Sequence, residues 1–71
     1  MKMIPVDSTA IQSVGYDENA RVLYVEFDSR KVYKYFDVDA SVYGELRSAA
    51  SVGKYFEREI RKKGYRFEEV R

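Results

Sequence analysis

The most chemically suggestive string in this 71-residue chain is Ser51-Val52-Gly53-Lys54. At a helix start it would set the free N–H groups of Val52, Gly53 and Lys54 beside an ammonium and a small glycine. Those are the ingredients of an anion or phosphate site. A serine cap followed by a closely packing glycine accounts for the same letters without a ligand, and that plainer use is favoured. The string also matches Ser-x-x-Lys, the acylating motif of penicillin-binding enzymes, but nothing else of that apparatus is present. A Walker loop fails too: Ser48 stands where its first Gly belongs and Tyr55 where its Ser/Thr belongs.

Charge is distributed unevenly around that string. Residues 51–71 hold seven Lys/Arg against four Glu, whereas residues 1–50 hold six bases against eight acids. Lys54, Arg58 and Arg61 recur at i, i+4 and i+7, which predicts one basic stripe on a helix. A basic stripe near tyrosines is what a nucleic-acid surface needs, cations for phosphates and rings for bases. A solvated helix face, with the terminal bases complementing the macrodipole, is the favoured reading, because Glu57 and Glu59 dilute the stripe and the net charge is only +1. Tyr33 and Tyr35 could stack on bases if they faced solvent, but the strand register favoured below turns them toward the helices.

Catalysis finds little to work with. The chain has no His, the usual general acid–base, and no Cys, which excludes disulfides and thiolate chemistry and leaves no plausible zinc site. Asp37/Asp39 and Glu68/Glu69 are close carboxylate pairs, yet the first flanks a helix start and the second lies near a terminus, and neither has further ligands for a metal. No catalytic residue, metal or cofactor is expected. No apolar run approaches the roughly 20 residues of a membrane helix. The N-terminus lacks an apolar signal core, so a cytoplasmic protein with no membrane partner is expected. With 45 % hydrophobic and 15 % aromatic residues and a net charge of +1, the chain is apolar enough to fold.

The elements that must position these residues follow from periodicity. Met1–Thr9 has no sustained period and reads as an irregular lead-in to a single domain spanning 1–71. Ile11–Tyr16 is a plausible strand, and Asp17-Glu18-Asn19-Ala20 a turn in which Asn19 can turn left-handed. Arg21–Phe27 alternates, with Leu23, Val25 and Phe27 on one face. Asp28-Ser29-Arg30-Lys31 is a second turn and Val32–Phe36 a third strand, giving an antiparallel meander. After Asp39, a cap, Val42, Tyr43, Leu46 and Ala49 follow at helical spacing; after Ser51, a second cap, so do Val52, Tyr55, Phe56 and Ile60. Gly64 sits where a helix-ending glycine belongs, and Tyr65-Arg66-Phe67 could add a short extended piece. The expected fold is α+β: a three-stranded antiparallel β-meander followed by two α-helices packed on one face of the sheet, with Leu23, Val25, Phe27, Leu46, Phe56 and Ile60 as central core.

The hairpin register decides which residues face out. A two-residue loop at Ser29-Arg30 would point Lys34 into the core, where an unpaired ammonium costs several kcal/mol. A bulged turn that sets Phe27 opposite Tyr33 and Val25 opposite Tyr35 keeps Lys34 outside and is favoured. Val32 and Phe36, with Tyr24 across the strand, then form an exposed apolar face, a candidate partner or dimer surface.

Tyr33-Lys34-Tyr35 after a hairpin, then Asp37-Val38, Val42-Tyr43, Ser51-x-Gly53-Lys54-Tyr55-Phe56 and Ile60-Arg61, resembles the KTSC domain family from about Ser8 to Phe67. That family is named after the C-terminal domain of some lysyl-tRNA synthetases and also occurs as free-standing small bacterial proteins. Glu57 departs from the pattern, which has Asn after the Phe. The resemblance brings no established activity; RNA binding is what the association with the synthetase implies. Two expectations result. One is a non-catalytic RNA-binding module using Ser51, Gly53, Lys54, Arg58 and Arg61. The alternative is a module that docks another protein, or dimerises, through Tyr24, Val32 and Phe36.

Overall fold

A computed structural model describes residues 1–71, and it corrects the expected sheet. The sheet has five strands, not three, in the order β1 (Ile4–Pro5), β2 (Ile11–Asp17), β3 (Val22–Phe27), β4 (Val32–Tyr35) and β5 (Phe67–Glu69), every neighbour antiparallel. The helices α1 (Ala40–Ser48) and α2 (Val52–Glu59) lie between β4 and β5, so they are inserted into the meander rather than ending it. The two added strands are short edge pieces. Two residues, one of them Pro5, and three residues after Arg66 are too few to show a period of two. Their place is set by backbone pairing with β2 and β4, and Ile4–Pro5, two residues of the expected irregular lead-in, therefore belong to the sheet.

The central hairpin has the expected faces but not the expected pairs. Val25 lies opposite Tyr33, Leu23 opposite Tyr35 and Tyr24 opposite Lys34, two residues away from the favoured register. The loop is Asp28–Arg30: the Phe27 N–H donates to the Lys31 carbonyl at 2.9 Å and the Arg30 N–H to the Phe27 carbonyl at 2.9 Å. Arg30 takes a positive φ of 75°, the left-handed third residue of a bulged three-residue turn. The extra residue was expected on the β4 side and falls on the β3 side. A slip of two preserves every face, so Lys34 stays outside. In the preceding turn the left-handed residue is Arg21 (φ 57°) rather than Asn19, because Asp17 Oδ1 accepts from the Asn19 and Ala20 N–H groups and holds those two residues in the turn.

The helices close one sheet face. Leu23, Val25, Leu46, Phe56 and Ile60 are buried together with Ile11, Val14, Tyr35, Val38, Val52 and Tyr55, while Phe27 packs at the margin, partly buried. Phe56 sets its ring edge-on to Phe27 at 5.5 Å and to Tyr35 at 5.6 Å, joining α2 to two strands. Ser51 caps α2 as expected, its hydroxyl oxygen accepting from the Lys54 N–H at 3.3 Å. Asp39 precedes α1 but makes no side-chain capping bond; it accepts from the Ser41 hydroxyl and pairs with Arg21 instead. α2 gives way at Ile60 to a 3-10 turn, Arg61–Lys63, which ends on Gly64 at φ 83°. On the opposite face the N-terminal segment crosses so close to Gly15 that a Cβ there would lie 2.8 Å from Met3 Sδ. No helix is long and apolar enough to cross a membrane.

Candidate nucleic-acid interface

The structure divides the expected basic stripe between two elements. Lys54 and Arg58 stand exposed on α2, but Arg61 belongs to the 3-10 turn, because buried Ile60 departs from helical geometry and re-aims the chain. Arg58 donates from Nε to Glu59 at 2.9 Å and lies over the Tyr55 ring, 5.6 Å from its centre. That bond holds the Glu59 carboxyl below the usual carboxylate range, with Lys63 adding to the effect. Arg61 donates to Glu57 at 2.8 Å. Both pairs are surface pairs between exposed or half-exposed side chains, weak enough in water to exchange for another anion. At the helix start, the Lys54 N–H is spent on Ser51 Oγ, so Val52 and Gly53 carry the N–H groups left free by helix geometry. Gly53 is not demanded by packing: a Cβ there would meet only Ser8 Oγ, at an ordinary 3.6 Å.

Arg61 faces a feature that period and spacing did not disclose. Beyond the end of α2, on the side of the sheet that the helices cover, a cleft of about 370 Å³ opens between the β3–β4 turn, β4, β5 and the 3-10 turn. Its walls are Phe27, Tyr33, Tyr35, Ile60, Tyr65 and Phe67, with Ser29, Lys31 and Arg61 also contributing. Tyr33 and Tyr35 share a face, as β-alternation requires, yet only Tyr35 is buried, against Phe56. Burial pushes the Tyr35 phenol up to about 12, with Tyr33 and Glu57 adding to the rise and Arg61 opposing it. Tyr33 lies past the helix, its ring centre 5.7 Å from Phe27 and 5.9 Å from Phe67. Phe67 remains 56 % exposed, one of few large apolar side chains so placed. It joined the wall because β5 pairs Phe67 with Tyr35, a long-range pairing. The signal available in sequence was the extended Tyr65-Arg66-Phe67 piece; treating it as a strand would have put a third aromatic beside Tyr33 and Tyr35.

The other sheet face carries Tyr24, Val32 and Phe36 together, as the alternation required. Tyr24 and Phe36 are partly exposed, whereas Val32 is buried at 9 % exposure. The reason is β5's continuation: the Val70 N–H donates to the Val32 carbonyl, and Val70 and Arg71 line one shallow depression with Val32, Met1 and Met3. Phe36 lies under the Arg66 guanidinium, 4.0 Å from ring centre, with Lys34 at 5.5 Å. Its surface is thus a cation-covered ring rather than open hydrocarbon. Nowhere do three His, Cys, Asp or Glu side chains gather to hold a metal.

Comparison with known proteins agrees with the resemblance. The chain is 34 % identical over 67 residues to an uncharacterized protein of Stutzerimonas stutzeri, covering 94 % of each. It is 34 % identical over 68 residues to a lysine–tRNA ligase of Nostoc punctiforme, where it covers 96 % of this chain but only 12 % of the ligase. The crystal structure of a KTSC domain protein from Yersinia pestis superposes with a TM-score of 0.92 at 30 % identity, covering 99 % of this chain and 97 % of that one. The family model for the KTSC domain matches residues 7–65, and this chain is a member of that family.

Proposed function

We propose that this domain is a non-catalytic RNA-binding module, with Lys54, Arg58 and Arg61 on phosphates and the Ser51–Gly53 helix start holding one of them. The observation that carries it is the run of exposed cations down α2 to Arg61, which stands at the mouth of an aromatic cleft. Cations beside accessible rings are the recurring composition of single-strand binders. Similarity to a segment of lysine–tRNA ligases favours RNA over other polyanions, and a cytoplasmic setting goes with it. The alternative, docking or dimerisation through Tyr24, Val32 and Phe36, draws less support because Val32 is buried and Phe36 is covered by Arg66.

Phosphate contacts fix position without reading sequence, so binding is weakly sequence-selective. Each contact on a single strand contributes about −0.7 to the slope of log K against log salt, so three give a slope near −2. Titration of single-stranded and hairpin RNA at low salt tests this. Arg58→Ala is expected to lower the slope's magnitude by about 0.7. Absence of binding, or binding indifferent to replacement of all three cations, would overturn the proposal.

A further inference from the structure

We infer that the cleft beside Arg61 receives one unpaired base of single-stranded RNA, stacked on the exposed Phe67 ring beside Tyr33, with its flanking phosphates on Arg61 and Lys31. The inference rests on the RNA reading and says where, within it, affinity beyond charge arises. Three observations converge. The cleft volume of about 370 Å³ lies in the range of small-ligand sites, roughly 300–1,000 Å³, and suits one nucleotide rather than a helix of paired bases. Its walls are aromatic from three separate parts of the chain, and the Phe67 ring is more than half exposed. Its two cations are both held by exposed carboxylates: Lys31 by Glu69 at 3.3 Å and Arg61 by Glu57 at 2.8 Å.

Those pairs matter for the choice of occupant. A cleft for an aliphatic side chain needs no cations at its mouth, whereas a nucleotide brings a planar π-face and an anion together. Exposed surface carboxylates hold these cations only weakly and are displaced at little cost by a phosphate, to which Arg can bond bidentately. Tyr35 also lines the cleft, and its phenol, neutral at physiological pH like any tyrosine, can donate a hydrogen bond there. A paired base hides its faces in the stack, so the geometry selects single strands.

The test uses the full chain and short oligoribonucleotides carrying one 2-aminopurine, whose fluorescence falls on stacking. Binding is expected to quench it, and a fully paired duplex of the same length is expected to bind more weakly. Phe67→Ala should weaken single-strand binding about five- to a hundredfold without changing the salt slope, while Phe67→Tyr, which keeps the ring, should retain affinity. If both Phe67 variants lose affinity equally, the loss comes from β5 and the stacking inference is overturned. If oligomers bind with the three-cation slope of about −2, rather than the slope of about −2.8 that Lys31 as a fourth contact would give, and 2-aminopurine emission is unchanged and Phe67→Ala binds like wild type, the inference fails while the RNA reading stands. If no oligomer binds wild-type protein at low salt, both fail.

Discussion

The two ends of the helix-covered sheet face use the same kind of side chain to opposite effect. At one end, Tyr16 stacks on Tyr43 with ring centres 5.2 Å apart and donates its hydroxyl to the Val38 carbonyl, while Tyr55 donates to Glu45 at 3.0 Å. Rings are packed and phenols are satisfied internally. At the other end, Tyr33 reaches only Glu69, at a long 3.5 Å on the surface, and Phe67 lies largely in solvent. The difference is coverage. α2 stops at Glu59 and Ile60 plugs its end, so aromatic side chains beyond Ile60 have strands beneath them and no helix above. An aromatic under a helix is core; an aromatic past the helix end stays open to solvent.

The comparison breaks first if Phe56 is not the pivot between the two ends. Its ring touches both Phe27 and Tyr35, and it is 2 % exposed. Phe56→Ala is expected to cost about 3–5 kcal/mol, by lost burial plus the cavity left behind. A chain this short has little more to lose, so the variant should be largely unfolded at 37 °C by circular dichroism. A well-folded variant would mean that the sheet and α1 hold the core without α2.

The next largest effect sharpens the contrast in how phenols are held. Burial first, and then the hydrogen bond to Glu45, push the Tyr55 phenol up to about 12. An unfolded Tyr titrates near 10, so folding favours the neutral phenol. The sign follows: this contribution is complete below about pH 10 and is lost as pH rises toward 12. Tyr55→Phe should cost about 1–2 kcal/mol at neutral pH, since the lost bond was to a charged acceptor. The variant should also lose less stability than wild type between pH 10 and 12, as denaturant unfolding followed across that window can show. Tyr35, also raised to about 12, leaves a residual alkaline loss in the single variant.

What the letters revealed follows the range of the interactions. The meander's three long strands, both helices, the Ser51 cap and Gly64 were legible because each rests on a local period or a single-residue preference. The faces of the central hairpin were legible as well, from the cost of burying Lys34. Its pairing was not, because two loop placements keep the same faces and differ only in where the left-handed residue falls, here Arg30. β1 is absent from the sequence reading, and β5 enters it only as a short extended piece at Tyr65-Arg66-Phe67 outside the sheet, because strands of two and three residues are defined by their partners, not by their own sequence. That omission hid most of the cleft, since Phe67 reaches Tyr33 and Tyr35 only through β5 pairing. The cations were found by spacing, yet Arg61 was assigned to α2 when the turn at Ile60 gives it to the cleft.

The smallest effect on stability is the one that separates the two ends most cleanly. Phe67 touches the rings of Tyr33 and Tyr35 at 5.9 and 5.6 Å, but in tilted rather than edge-on geometry, and more than half its surface meets water. Its burial energy is therefore only partly realised, and the backbone bonds of β5 do not require its ring. Phe67→Ala is expected to cost about 1 kcal/mol, the scale of one aromatic contact rather than of a core cavity. Denaturant midpoints for Phe67→Ala and Phe56→Ala, measured side by side, check this. Were Phe67→Ala to cost 3 kcal/mol or more, the ring would be core and the open end of the sheet would be part of the fold's packing. A small cost leaves an exposed aromatic that folding does not need.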